Sequence, residues 1–202
     1  MGGVIHDFKH DLDWSKGASA ADDQLTILNM LDGCQKVEIS SNLLDLSGVD
    51  YVATLRNGAA ILIDGKTRKP GCSKFWRMGP ELALETWSVK PGGKYRMADQ
   101  RKKIGWTLCE HKRVDFILFK FDPADCEIAY LICFQLLRIA FRRNHKNWYR
   151  CYKVDIQDNR NFESEAVFVP ATVVLKAVSD AGIGRLKMAT KPTLPEYGKD
   201  QE

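Results

Sequence analysis

Asp50, Asp64 and Lys66 are the residues of this chain whose types and spacing could do chemistry. Asp50 stands in Gly48-Val49-Asp50-Tyr51, which opens the apolar run of residues 51–55. Asp64 and Lys66 stand in Ile63-Asp64-Gly65-Lys66, which closes a second apolar run beginning at Ala59. Arg56-Asn57-Gly58 between them is a hairpin signal. Folding the hairpin carries two carboxylates and a lysine to one end of one sheet. That set can hold a divalent metal and an attacking water, and the chemistry would be hydrolysis of a phosphodiester.

Register decides whether the hairpin can work. A two-residue Asn57-Gly58 turn pairs Arg56 with Ala59 and leaves Asp50 and Asp64 on opposite faces. A three-residue loop, with Gly58 in the left-handed region, pairs Leu55 with Ala59. Asp50 then lies opposite Asp64, and Lys66 shares their face. Two carboxylates facing each other across about 5 Å repel. A hard cation with oxygen ligands compensates that repulsion. The bland alternative is an Asp50–Lys66 pair decorating a strand end. Gly65-Lys66-Thr67 also imitates the end of a phosphate-binding loop, but Ala60-Ile61-Leu62-Ile63 stands where the glycine-rich loop should be.

Several elements must position this set. A helix capped by Ser15 or Ser19 is expected to run to about Leu31, with Leu25, Ile27, Leu28 and Leu31 as its apolar stripe. Gly33 ends it, and Lys36 to Ile39 reads as a short strand. Glu81–Val89 fits strand or helix, with Trp87-Ser88-Val89 favouring strand. Residues 90–103 form a basic loop, and the apolar run 115–121 is a central strand. Asp125 is expected to cap a helix from Cys126 to about Asn147. Residues 151–157 and 164–169 read as a hairpin over Asp158-Asn159-Arg160-Asn161, and Pro170 opens a last helix to about Ser179. The expected fold is α/β: a mixed central sheet with a catalytic-type hairpin, flanked by helices on both sides. Residues 1–190 read as one domain and 191–202 as a frayed tail.

The chain has 202 residues, a formal net charge of +4 and a sequence pI near 8.7, which permits a polyanion partner without requiring one. Its longest apolar stretch, Ile128 to Phe141, is broken by Gln135 and Arg138 and is too short and polar to span a bilayer. Six cysteines without a Cys-x-x-Cys spacing read as free thiols in a reducing, bacterial cytoplasm rather than as a zinc site. His6 and His10, four apart, lack an evident third ligand and read as surface histidines.

A helix with an acidic residue, then Gly-Val-Asp-Tyr, a hairpin and Ile-Asp-x-Lys resembles the PD-(D/E)XK nuclease superfamily. Leu84-Glu85-x-Trp87-Ser88, Gly105-Trp106 and Asp115-Phe-Ile-Leu are similar to small phage- and prophage-type members. The resemblance covers roughly residues 18–121. It implies a restriction-endonuclease-like core in which Asp50 and Asp64 ligate Mg²⁺, with Mn²⁺ able to substitute. It implies that Lys66 orients or helps deprotonate the water and offsets charge on the phosphorane. It also implies a first-helix acid, for which Asp22 matches best and Asp23 is the alternative. Val49 and Gly65 depart from the superfamily's usual residues, which leaves a decayed site open.

Glu85 is a further metal candidate. Lys69, Lys74 and Arg77 add positive charge near the hairpin, as does the basic loop. Gln135, Arg138, Arg142, His145 and Tyr149 form one stripe of the 126–147 segment and its extension, suited either to a DNA backbone or to plain solvation. Trp76, Trp87 and Trp106 read as core. The expected activity is Mg²⁺-dependent endonuclease action on DNA, with no membrane partner; cutting both strands would favour a homodimer. The alternative is a catalytically silent nuclease-fold protein that binds nucleic acid or inhibits a nucleic-acid-processing machine.

Overall fold

The computed structural model describes residues 20–41, 44, 47–68, 70–91, 103–159 and 162–188. Lys69, the histidine pair, Ser15, Ser19, the 191–202 tail and the 92–102 part of the basic loop lie outside the described residues. The elements are α1 (Ala20–Met30), β1 (Cys34–Ile39), β2 (Tyr51–Leu55), β3 (Ala60–Thr67), β4 (Glu81–Val89), β5 (Lys103–Ile104), β6 (Phe116–Lys120), β7 (Ala129–Cys133), α2 (Phe134–Cys151), β8 (Lys153–Asp158), β9 (Glu163–Pro170) and α3 (Ala171–Met188). A 3₁₀ turn covers Ser73–Phe75.

The chain is α/β. One mixed sheet has the order β1-β2-β3-β6-β7, antiparallel throughout except for the parallel pair β3–β6. The central strand β6 is buried from Ile117 to Lys120, as a strand covered on both faces must be. Ile27 of α1 packs with Tyr51, Ala53, Ile63 and Leu118 on one face. Ile117 and Phe119 join Phe134, Leu137 and Phe141 of α2 on the other.

A second sheet, β5-β4-β9-β8, is antiparallel throughout. Sequence reading gave the β8–β9 hairpin, left 81–89 open between strand and helix, and missed both β5 and the separate sheet. The connection from β3 to its parallel neighbour β6 passes through β4 and β5 rather than a lone helix, and so builds that sheet. Leu82, Leu84, Val167 and Val169 bury one of its faces in the main core, with Val174 of α3.

Three helix expectations fail. The helix expected from Cys126 begins at Phe134, because Ala129–Cys133 pairs antiparallel with β6. A short apolar run cannot be assigned by periodicity alone, and here the free edge of β6 decides it. Asp125 instead accepts the N–H groups of Cys72 and Ser73, at 3.1 Å each, and ties down the 3₁₀ turn. In α1 the buried side is Asp23 and Ile27, whereas Leu25 and Leu28 are exposed. The last helix also runs past Ser179 to Met188. No helix among the described residues is long and apolar enough to cross a membrane.

Candidate functional site

The three-residue loop is the one that forms. Gly58 has φ of +80°, and Leu55 N–H donates to Ala59 O at 2.9 Å. The ladder pairs Tyr51 with Ile63 and Thr54 with Ala60, so Asp50 comes opposite Asp64. The two carboxyl groups are near enough for each to shift the other's ionisation. Asp50 also accepts the Gly65 N–H at 2.7 Å. Burial first, then repulsion from Asp64, pushes the Asp50 carboxyl up to about 6.

Asp64 is 2% exposed and carries two ammonium partners. Lys66 Nζ lies 2.7 Å from Oδ1 and Lys112 Nζ 3.0 Å from Oδ2. Burial opposes ionisation of Asp64, but these two lysines hold it below the usual carboxylate range. Burial likewise opposes the charge on Lys66, yet Asp64, Asp50 and Glu85 hold its pKa above the ordinary value. Lys66 is therefore a fixed cation at neutral pH and not a proton acceptor.

Lys112 was missed by sequence reasoning. It is 8% exposed and donates to Gly48 O at 2.8 Å. Gly48 has φ of +76°, and a Cβ there would stand 2.4 Å from Lys112 Nζ. The glycine of Gly48-Val49-Asp50 thus admits the second lysine; a basic residue shortly before an apolar central strand was its only sequence trace.

The acids of α1 approach from the other face of the sheet. Asp22 is exposed and pairs with Lys120. Asp23 is buried, accepts Tyr51 Oη at 2.8 Å and Lys120 Nζ at 3.0 Å. Gly65 is where it nears the carboxylate pair: a Cβ there would lie 3.6 Å from Asp50 Oδ2 and 3.9 Å from Asp23 Oδ2. The buried alternative, Asp23, and not Asp22, is the helix acid brought toward the site.

Glu85 on β4 faces Lys66 across a cleft lined also by Trp106. Its Oε2 accepts Ser88 Oγ at 2.7 Å and Trp106 N–H at 3.2 Å. The other basic residues sit elsewhere. Lys74 in the 3₁₀ turn and Arg77 just after it are exposed. Gln135 is exposed, Arg138 stacks on Phe134 at 5.5 Å, and Arg142 pairs with Glu110 at 2.9 Å. Tyr149 leaves the proposed stripe altogether, donating to Glu165 Oε1 at 2.8 Å inside the fold.

The donor set fits a small divalent cation. Burial and the facing Asp64 charge raise the Asp50 carboxyl to about 6, and a bound cation would offset both. Among the described residues no group of three or more His, Cys, Asp or Glu side chains gathers to hold a metal. Two carboxylates, with waters completing the shell, is a set Mg²⁺ accepts. Compared with protein-family models, curated proteins and solved structures, the chain matches none.

Proposed function

We propose that this chain is a Mg²⁺-dependent phosphodiesterase of endonuclease type acting on DNA, built on a restriction-endonuclease-like core. The observation that carries the reading is the half-buried Asp50 facing the buried Asp64, with the Lys66 ammonium fixed on Asp64. Asp50 and Asp64 would hold the metal, with Asp23 behind Gly65 as the nearest further acid. When bound, the ion supplies a scissile-phosphate contact and an acidified water. Lys66 supplies a permanent positive charge beside the phosphorane. Lys112 keeps Asp64 ionised and oriented. Mn²⁺ should substitute for Mg²⁺.

The second reading, a catalytically silent binding protein, has one observation in its favour. Lys66 and Lys112 already neutralise both oxygens of Asp64 without a metal. One assay separates the two. Purified protein is incubated with supercoiled, linear and single-stranded DNA, with Mg²⁺, Mn²⁺ or EDTA. Cleavage by the wild type should require metal, fall at least about 10³-fold in Asp64→Ala, and fall about 10²–10³-fold in Lys66→Ala. Binding without cleavage on every substrate would support the silent reading and remove the enzymatic one.

A further inference from the structure

The four-stranded sheet buries Leu82, Leu84, Val167 and Val169 on one face. Its register puts a different set on the other: Phe168 opposite both Ala83 and Lys153, Ala166 opposite Glu85, and Ser164 opposite Gln157. Between that face and the Lys66–Arg68 end of the first sheet lies a cleft of about 160 Å³. That is room for roughly five waters at ~30 Å³ each. It suits one planar heterocycle and falls short of the ~300–1,000 Å³ that larger ligands take. Trp106, Phe119 and Phe168 give it aromatic walls, and Gln157 and Ser164 give it polar tips.

Cations and rings alternate away from the candidate catalytic lysine. Lys66 Nζ lies 5.6 Å from the centre of the Trp106 ring. Arg68, two residues on and hence on the same side of the strand, has its guanidinium 5.0 Å from Phe168. Lys153 Nζ lies 5.5 Å from Phe168 and 5.6 Å from Phe75. Lys74 Nζ closes the series 5.0 Å from Phe75. Phe75 is 62% exposed, so its ring is not core. Arg68 Nε is buried and makes no hydrogen bond.

Resting on the phosphodiesterase reading, we propose that the substrate strand is unpaired. Its backbone runs from the carboxylate pair along Lys66, Arg68, Lys153 and Lys74, with one base in the cleft and another stacked on Phe75. A basic stripe alone would take any phosphate backbone. Aromatic faces between the cations select a strand whose base faces are free, because duplex bases already stack on one another. Asp155, 3.4 Å from Lys153, and Glu85 lie on the same sheet face, where they suit the amino edges of bases and not phosphates.

The test is fluorescence anisotropy of the full chain in EDTA, with a labelled 12-nucleotide oligo-dT and a 12-base-pair duplex. The single strand should bind at least about tenfold tighter than the duplex. Phe75→Ala should cost the single strand about tenfold and leave the duplex unchanged. The slope of log K against log salt should be near −3 for four cations and flatten by about 0.7 in Lys153→Gln. Phe75 and Lys153 are surface residues, so these variants keep the fold. Equal or tighter duplex binding, or single-strand affinity untouched by Phe75→Ala, overturns the proposal. Cleavage in Mg²⁺, measured alongside, separates it from the reading on which it rests. Metal-dependent cleavage with no Phe75 effect removes the track and keeps the nuclease. The expected binding with no cleavage keeps the track and removes the nuclease.

Discussion

Replacing Asp50 with Asn should make the metal-free protein more stable above pH 6. The folded carboxyl titrates at about 6, against an ordinary value of 3.8. A carboxyl raised in this way binds its proton more tightly in the folded state. Its contribution is therefore fully present below the unfolded value, and it is lost as pH rises through the folded one. At about 1.4 kcal/mol per unit the loss saturates near 3 kcal/mol above pH 6. Asn carries no such cost. Its Oδ1 can still accept the Gly65 N–H, and its neutral amide does not repel the facing Asp64. Urea unfolding in EDTA at pH 4.5 and pH 8 measures the effect. The stability gap between Asp50→Asn and wild type should widen by about 2 kcal/mol in favour of the variant across that range. Divalent metal should then stabilise the wild type and not the variant. A variant destabilised equally at both pH values would refute the raised Asp50 carboxyl.

Four further outcomes follow from the same contacts. Lys112→Met removes one of the two cations on a buried carboxylate and should cost about 3 kcal/mol by urea unfolding; adding Asp64→Asn should recover at least half. Gly48→Ala, strained at φ +76° and pressing on Lys112, should cost about 2 kcal/mol and be non-additive with Lys112→Met. Gly105→Ala would put a Cβ 2.4 Å from the Glu85 carbonyl oxygen, a backbone atom that cannot step aside, and should lower Tm by about 10 °C. Mn²⁺ affinity, read by calorimetry, should fall about tenfold per unit below pH 6, where a proton must leave Asp50 for the metal to bind.

The carboxylate pair was legible because a hairpin is local. Arg56-Asn57-Gly58 allowed two registers, and only the loop with Gly58 in the left-handed region puts Asp50 opposite Asp64. Partners distant in sequence left weaker traces. Lys112 joins Asp64 from the far side of the second sheet's strands β4 and β5, and nothing in its immediate neighbours marks it as buried. Asp22 and Asp23 are adjacent on a helix with apolar residues on several sides, so its pattern could not say which acid points inward. Packing of Ile27 against Tyr51 and Ile63 decided it. Lys120, a lysine within an apolar central strand, was a readable sign of a buried acid, and Asp23 is that acid. The second sheet was not readable, because strand identity is set by periodicity and sheet membership by which edges are free.

The most direct measurement is anomalous diffraction from crystals of the protein soaked in Mn²⁺, with Asp64→Asn crystals as control. One strong peak is expected about 2.2 Å from oxygens of both Asp50 and Asp64, absent in the variant. No peak there at pH 7.5, or one elsewhere on the molecule only, would contradict the metal site on which the proposed chemistry depends.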